Sequence, residues 1–239
     1  MFYLCYVLRV ACFMIIFENV TKFYPPNTHA LDNFSLEVKP GEFLSIVGQS
    51  GTGKTTMVKL LIGEEKATKG KILVGDWDIT NIRQREIPYL RRQIGVVFQD
   101  FKLLPAKTLL ENVAFAMQVC GHPPSKIETI VPQVLKLVGL EKKMSRYPNE
   151  VSGGEQQRAV IARALVHHPK ILLADEPTGN LDSINAADII NLLEKINKFG
   201  TTVILVTHNK EIVNSLRRRV VTIDSGRVIS DQKIGKYLL

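Results

Sequence analysis

The sequence predicts an α/β fold with a mainly parallel sheet that is covered by helices. Two observations favour this class. Short runs rich in β-branched residues alternate along the chain with longer stretches of helical period. Three of these runs, at 41–48, 169–175 and 201–208, have an apolar centre, as strands buried inside a parallel sheet have.

The composition agrees with one large folded domain. Of the 239 residues, 45% are hydrophobic and 23% are charged, so enough apolar surface is available to offset the entropy of ordering the backbone. The three cysteines have no spacing typical of disulfide-rich or zinc-binding proteins, which favours a reducing, cytosolic compartment. A net charge of +8 (31 − 23) suits a membrane face or nucleic acid only weakly, because the basic clusters are short, and no nucleic-acid partner is expected.

The first strand is expected at 15–24 (IIFENVTKFY). Residues 1–17 are apolar or aromatic except for Arg9, but they are fewer than the roughly 20 residues that span a bilayer, and they lack the flanks of a secretion signal. Residues 1–13 are therefore interpreted as an N-terminal extension or a misassigned start, and residues 14–239 as a single domain. The alternatives are a membrane or secretion segment, an extra strand, and a segment lying on a membrane or partner surface.

Periodicity and turn residues predict further elements. A helix at 55–63 is expected to stop at Gly63. A second helix at 185–199 is expected to stop at Gly200, and it places four apolar residues on one face: Ile189, Leu192, Leu193 and Ile196. The run 220–229 contains an Asp-Ser-Gly turn between two β-rich halves and so predicts two strands.

An inserted helical lobe is expected at about 100–168, where the pattern is almost wholly helical. The sequence His122-Pro123-Pro124 interrupts this pattern. Pro132 lies inside the next apolar run and predicts that the helix there begins near Val131 rather than at Ile127.

The first chemical motif is a phosphate-binding loop at 48–56, between a predicted strand and a predicted helix. Its residues are Gly48, Gln49, Ser50, Gly51, Thr52, Gly53, Lys54, Thr55 and Thr56. Residues 48–55 match the pattern G-x-x-x-x-G-K-[ST], in which glycines let backbone N–H groups surround phosphate oxygens at the start of a helix, and Thr56 directly follows the pattern. Lys54 supplies a charge for the β- and γ-phosphates, and the Thr55 hydroxyl is a candidate ligand for Mg²⁺.

A pair of carboxylates follows the apolar run at 169–175. Asp175 is expected to hold Mg²⁺ through a water molecule, and Glu176 to orient or activate the water that attacks the γ-phosphate. Solvated turn residues are the alternative interpretation of the pair.

A second anion-binding helix end is predicted at 152–155. Ser152 is a predicted N-cap, Gly153 and Gly154 expose backbone N–H groups, and Glu155 has the spacing of a capping box. Since the loop at 48–56 already surrounds the phosphates, this helix end is best explained as contacting a γ-phosphate that another protomer holds. A plain capped helix is the alternative.

Together these motifs resemble those of the ATP-binding-cassette (ABC) ATPases, over nearly all of residues 14–230 and in the order found in that family. The resemblance implies the ABC ATPase fold, in which a P-loop NTPase core with a mainly parallel sheet carries a small antiparallel β subdomain and an inserted helical subdomain. It also implies hydrolysis of ATP, with ATP and Mg²⁺ as cofactors.

The resemblance implies roles for four more residues. Tyr24, in KFYPP, matches the aromatic residue that stacks on adenine. Gln99, in VVFQD, matches the glutamine that approaches Mg²⁺ and the attacking water, and His208, in LVTH, matches the histidine that contacts the γ-phosphate. Asp182, in GNLD, matches the loop that meets the opposite protomer. A purely structural role is the alternative for Tyr24 and for His208.

The resemblance further implies a homodimer in the ATP-bound state. Two protomers would face head to tail, with each ATP held between the loop at 48–56 of one and the helix end at 152–155 of the other. ATPases of this family usually lie at the cytoplasmic face of the cell membrane and drive an integral membrane protein.

The segment at 98–105 (FQDFKLLP) is similar to the branch of the family that acts in bacterial cell division, where the membrane partner controls peptidoglycan hydrolases. An ATPase subunit for lipoprotein release, peptide or macrolide export, or amino-acid import is the alternative, and a soluble cassette protein acting on nucleic acid or ribosomes is a third. Phe101, Leu103 and Leu104 are candidates for a surface that receives the partner, with burial in the helical lobe as the alternative.

Overall fold

Two β-sheets organise residues 14–235 and Tyr237, the part of the chain that the computed structural model describes. The strands of this part are β1 (Ile15–Tyr24), β2 (Thr28–Val38), β3 (Phe43–Val47), β4 (Lys69–Val74), β5 (Trp77–Asp78), β6 (Ile94–Val97), β7 (Ile171–Asp175), β8 (Thr202–Val206), β9 (Arg219–Asp224) and β10 (Arg227–Gln232). The α-helices of this part are α1 (Lys54–Leu61), α2 (Ile87–Gln93), α3 (Leu109–Val119), α4 (Pro124–Leu137), α5 (Gly153–Leu165), α6 (Ser183–Lys198) and α7 (Lys210–Leu216), and a short 3-10 helix spans Pro148–Glu150. The interpretation of residues 1–13 as an extension or a misassigned start lies outside the described residues.

The larger sheet is mainly parallel, as predicted. Its strand order is β10-β9-β3-β8-β7-β6, and only β10 runs antiparallel to its neighbour. The smaller sheet has the order β2-β1-β4-β5 and is antiparallel throughout. The expected α/β class, with a parallel core sheet and a separate antiparallel β subdomain, is therefore confirmed.

The central strands of the larger sheet are buried on both faces. Along β7, Leu172 and Ala174 join the apolar cluster that α3, α4, α5 and α6 form on one side. Ile171 and Leu173 point the other way, into the cluster made by α1, β1, β2 and β4. Because both faces are covered, successive residues are all apolar, which explains the continuous run that marks this strand in the sequence.

Glycines end the predicted helices as expected. Helix α1 stops at Leu61, and Gly63 follows with a φ of 65°. Helix α6 stops at Lys198, and Gly200 has a φ of 99°. A positive φ strains residues that carry a Cβ, so glycine at these positions reverses the chain without that penalty.

The helical segment differs from its prediction in one respect. The expected helix start near Val131 is wrong, because α4 begins at Pro124 and contains Pro132. Pro124 occupies a position in the first turn, where a missing N–H group has no intrahelical acceptor. Ile127, Val131 and Val134 are buried along one face, and this burial outweighs the one backbone hydrogen bond that Pro132 cannot make.

The loop that precedes α3 is fixed by a fully buried side chain, Asn112. Its carboxamide oxygen accepts a hydrogen bond from the N–H of Leu104 at 2.7 Å, and its Nδ2 donates to the carbonyl oxygen of Leu104 at 3.1 Å. Nδ2 also lies within hydrogen-bond distance of the carbonyl oxygens of Lys107 and Thr108, both at 2.9 Å. The connection between the core sheet and the helices is thereby an ordered loop.

Candidate active site

The predicted chemical residues meet at one edge of the larger sheet. Strands β3, β8, β7 and β6 are parallel neighbours, so their carboxyl ends lie side by side. The loop at 48–56 follows β3, Asp175 ends β7, and His208 and Gln99 come shortly after β8 and β6. Such an edge is the usual ligand site of an open α/β sheet.

A cleft of about 630 Å³ opens at this edge. The residues lining it that the sequence also predicts are Gln49, Ser50, Gly51, Gly53, Lys54, Thr55, Thr56, Gln99, Asp175, Glu176 and His208. Gly48 and Thr52 belong to the same loop, within which the Thr52 hydroxyl donates to the carbonyl oxygen of Gln49 at 2.9 Å. Eleven predicted residues thus share one cavity, although they come from four different strand ends.

Two glycines of the loop are required by close backbone contacts. A Cβ at Gly48 would clash with the carbonyl oxygen of Ile223, and a Cβ at Gly53 would clash with the carbonyl oxygen of Ala30. The φ of Gly53 is 106°, which also disfavours a side chain. These contacts hold the loop against neighbouring strands and fix the start of α1, whose free N–H groups can bind an anion.

Lys54 projects into the loop. Its ammonium group donates hydrogen bonds to the carbonyl oxygens of Gly48, at 2.8 Å, and Gln49, at 2.7 Å. Burial lowers the pKa of Lys54, while the negative charges of Glu176 and Asp175 oppose that effect. The ammonium group is therefore placed among the backbone groups that would surround a phosphate.

The two carboxylates differ in environment. Burial raises the pKa of Asp175, with a further rise from the charge of Glu176 and an opposing effect from Lys54. Glu176 has a φ of 50°, which is unfavourable for a residue with a side chain. Its N–H donates to the carbonyl oxygen of Val206 at 2.8 Å, so the neighbouring strand holds this conformation in place.

Glu176 and His208 form a close pair. The distance between Glu176 Oε1 and His208 Nδ1 is 2.6 Å, and the hydroxyl of Thr207 donates to Glu176 Oε2 at 3.2 Å. The side chain of His208 is 71% exposed and that of Glu176 only 17%, so the imidazole is the more accessible partner. Among the described residues its Nε2 has no hydrogen-bond partner, which leaves this atom available to a ligand.

Gln99 contacts the segment that follows Glu176. Its Nε2 donates to Asn180 Oδ1 at 3.3 Å, and Asn180 Nδ2 donates to the carbonyl oxygen of Gln99 at 3.2 Å. Gly179 lies so close to the side chain of Gln99 that a Cβ there would clash with it. A displacement of Gln99 would therefore be transmitted directly to the segment that follows Glu176.

The second predicted anion site, at 152–155, does not line the cleft. Ser152 Oγ accepts a hydrogen bond from the N–H of Glu155 at 3.3 Å, and Glu155 Oε2 accepts one from the N–H of Ser152 at 2.9 Å. The expected capping box is thus present at the start of α5. The bond from the Ser152 backbone is the main reason why the pKa of Glu155 is lowered.

Asp182 lies next to this helix end and also outside the cleft. It caps α6 by accepting hydrogen bonds from the backbone N–H groups of Ile184, at 3.0 Å, and Asn185, at 2.9 Å. The side chain of Asn185 donates to Asp182 Oδ2 at 2.6 Å and packs against Gly154, where a Cβ would clash with it. Gly153 is also closely packed, because a Cβ there would lie 3.3 Å from the side chain of Leu181. One surface therefore combines the helix end at 152–155 with the loop around Asp182.

Tyr24 is not among the residues that line the cleft. Its ring lies under the ammonium group of Lys22, 4.8 Å from the ring centroid, and Lys22 pairs with Glu65 at 2.8 Å. His29, which does line the cleft, packs against the ring of Phe23 with centroids 5.2 Å apart. The stacking role of Tyr24 remains a prediction.

Four residues of the cleft were not found by motif analysis: Thr28, His29, Ala30 and Tyr237. Only for Ala30 does the motif explain the position in the cleft, because the glycine at position 53 permits the carbonyl oxygen of Ala30 to approach the loop. Thr28 and His29 begin a strand that the motif does not include, and Tyr237 is far from every motif in the sequence.

Residues 31–179 match the family model described as ABC transporter. The chain belongs to this family, and it is an ABC-type ATPase.

The similar proteins include curated and solved members. The chain is 50% identical to the cell division ATP-binding protein FtsE of Bacillus subtilis (strain 168), over 94% of this chain and 98% of the relative. It is 51% identical to FtsE of Streptococcus pneumoniae (strain D39), over 94% and 97% of the two chains. The dimeric ATP-binding cassette MJ0796, in a post-hydrolysis state bound to ADP and Pi, is 36% identical and superposes with a TM-score of 0.82, covering 94% of this chain and 100% of that one.

Proposed function

We propose that this chain is the ATPase subunit of a bacterial cell-division complex and that it acts with an FtsX-like integral membrane protein to control peptidoglycan hydrolysis. The observation that carries the proposal is the identity of 50–51% to FtsE relatives along 94% of this chain and 97–98% of theirs. The match includes the segments at 98–105 and 152–155, so it is not confined to the phosphate-binding loop that all P-loop ATPases share.

The proposed chemistry divides the cleft into binding and catalytic groups. Lys54 and the backbone N–H groups of its loop bind the β- and γ-phosphates. Glu176 accepts a proton from the attacking water, and His208 contacts the γ-phosphate through its free Nε2. The hydrogen bond between Nδ1 and Glu176 supports these roles, because it orients the imidazole.

The residues fit a Mg²⁺ ion. The hydroxyl of Thr55, the carboxamide of Gln99 and the carboxylate of Asp175 line the same cleft and offer the oxygen ligands that this ion prefers. When bound there, Mg²⁺ would neutralise charge on the phosphates and favour the ionised form of Asp175.

The proposed working form is a head-to-tail homodimer around two ATP molecules. The capped helix end at 152–155 has an exposed cap residue, yet it lies away from the cleft of its own chain. In the dimer this helix end and the loop around Asp182 would face the phosphates held by the opposite protomer.

A groove beside Gln99 suits a membrane partner. It has a volume of about 450 Å³, and its lining includes the apolar residues Val96 and Phe98 and the basic residues Lys102 and Arg163. Arg163 donates to the carbonyl oxygen of Lys102 at 2.7 Å, which ties the groove to the connector after Gln99. No helix among residues 14–235 is long and apolar enough to cross a bilayer. The proposed location is peripheral, at the cytoplasmic face of the inner membrane.

The candidate partner surface at 101–104 is partly buried. Phe101 and Leu103 pack against the core formed by the helices, and the backbone of Leu104 is held by Asn112. The groove side chains, rather than these three residues, are therefore the better targets for a docking experiment.

Co-purification from detergent-solubilised membranes of the native organism tests the proposal. We expect an FtsX-like protein at equal stoichiometry, and defective cell division when the ATPase is depleted. Lys102 lines the groove, so Lys102→Glu should release the partner while ATP binding persists. Lys126→Glu, at an exposed position of α4, is the control and should leave the partner bound. Recovery of a solute or lipoprotein permease instead would make the chain a transport ATPase, and recovery of no membrane protein would contradict both readings.

A further inference from the structure

Tyr237 occupies the wall of the catalytic cleft although it belongs to none of the motifs. After β10 the chain returns across β9. Gly235 donates its N–H to the carbonyl oxygen of Arg218 at 3.1 Å and lies so close to Val220 that a Cβ would clash. Tyr237 then donates its N–H to Asn214 Oδ1, in α7, at 2.9 Å. These two bonds direct the tyrosine back toward the active site.

The ring of Tyr237 packs between two elements that border the site. It is only 7% exposed and forms a small apolar cluster with Val47, Val213 and Val220. Val47 is the last residue of β3, directly before the phosphate-binding loop, and Val213 lies in α7, which follows His208. The ring therefore packs between the strand that leads into the loop and the helix that leads away from the histidine.

Helix α7 depends on this packing. It has seven residues, of which Val213 and Leu216 are buried. A helix this short is unstable by itself, so tertiary contacts fix its position. Its N-cap, Asn209, is the residue next to His208 and donates its N–H to the hydroxyl of Thr207 at 3.1 Å. A shift of α7 would consequently move His208 relative to Glu176.

From these contacts we propose that Tyr237 is a positioning residue, which holds α7 and thereby keeps His208 against Glu176. Burial and the charge of Glu176 raise the pKa of Tyr237, which agrees with a ring placed near this carboxylate. The inference rests on the catalytic pairing of Glu176 with His208, but not on the identity of the membrane partner.

The test compares Tyr237→Leu with Tyr237→Phe. Leucine removes the ring, and we expect kcat to fall about tenfold while KM for ATP stays within about twofold, because a displacement of about 1 Å at a catalytic group has effects of this size or larger. Phenylalanine keeps the ring and should restore kcat. Tyr89→Leu, at a tyrosine that is 60% exposed on α2, is the matched control and should behave as wild type.

Histidine side-chain NMR gives a second readout, which does not need turnover. The chain has five histidines, and the His208 signal can be assigned with His208→Gln. Tyr237→Leu should shift the His208 signal and leave the signals of His122, His167 and His168, which lie outside the cleft, in place. If the leucine variant does not fold, Asn214→Ala, which removes only the acceptor for the Tyr237 N–H, should shift the same signal to a smaller extent.

The results for the Tyr237 variants test the positioning role separately from the proposed ATPase function. A folded Tyr237→Leu variant with wild-type kcat and an unmoved His208 signal would overturn the positioning role. A phenylalanine variant as impaired as the leucine variant would do the same, since the ring would then not be the active feature. Absence of ATPase activity in the wild-type chain would contradict the proposed chemistry, and the NMR signal would still decide the role of Tyr237.

Discussion

Replacement of Asn112 by leucine should destabilise the fold and release the loop that follows Gln99. Leucine has a similar size, so the change removes hydrogen bonds without opening a large cavity. Asn112 is fully buried, and its side chain bonds to the backbone of Leu104, Lys107 and Thr108. The perturbation therefore isolates the polar contacts that order this connector.

The size of the effect follows from which groups lose their partners. The carbonyl oxygen of Thr108 still accepts the N–H of residue 112, and that of Leu104 still accepts the N–H of Lys107. Among the described residues, the N–H of Leu104 has no other acceptor and the carbonyl oxygen of Lys107 has no other donor. These two partly buried orphaned groups and the lost bonds amount to about 3 kcal/mol. For a domain of this size, that free energy corresponds to a fall of roughly 6–12 °C in the midpoint of thermal unfolding.

Urea unfolding and differential scanning calorimetry measure this loss. Gln118→Leu, at an exposed position of the same helix, is the matched control and should change the free energy of unfolding by no more than about 0.5 kcal/mol. A value for Asn112→Leu within that same margin of wild type would refute the reasoning, because the buried hydrogen bonds would then contribute nothing to stability.

Three further predictions concern the catalytic carboxylate, the second helix end and the cap of α6. Glu176→Gln should slow phosphate release by about 100-fold or more while equilibrium ATP binding persists, because an amide cannot accept the proton; normal turnover would remove Glu176 from the reaction. Ser152→Arg should lower the ATPase rate but leave ATP affinity of the monomer unchanged, and full activity would mean that the second helix end is not used in trans. Asp182→Ala should lower the urea midpoint at pH 7, since hydrogen bonds from the backbone of α6 hold the pKa of Asp182 below its ordinary 3.8. This stabilisation is present above pH 3.8 and is lost as the pH falls further, so the two midpoints should converge in acid.

The parallel core was predictable because burial on two faces leaves a simple trace in the sequence. The strands β3, β7 and β8 appear as apolar runs, and their ends carry the glycines, carboxylates and histidine that meet in the cleft. Sheet order could not be read from the runs themselves. It was nevertheless unnecessary for finding the site, since parallel strands all end at one edge.

Other elements left no such trace. Helix α2 has a single buried residue, Leu90, and β5 is only two residues long, so neither element produces a periodic pattern. The error at Pro132 has a different cause. The local preference for a helix start at proline was outweighed by a buried face that extends back to Ile127, and only the tertiary structure defines that face.

Some residues near the chemistry depend on contacts between distant parts of the chain. Tyr237 reaches the cleft because Gly235 and Asn214 redirect the backbone, and no local pattern marks a residue so placed. His29 lines the cleft because β2 passes beside the phosphate-binding loop, which a motif confined to one segment does not record. Sequence motifs thus found the polar residues of the cleft better than the residues that pack around them.

The contact of Asn185 with both Asp182 and Gly154 has a consequence for protein engineering. In the proposed head-to-tail dimer, an attempt to build two versions of this ATPase that pair only with each other would begin by altering the surface at 152–155. Because Gly154 has no room for a side chain while asparagine occupies position 185, a bulkier residue at 154 would have to be accompanied by a smaller one at 185. That second change would remove the side-chain bond to Asp182, so these three positions would have to be redesigned as a unit.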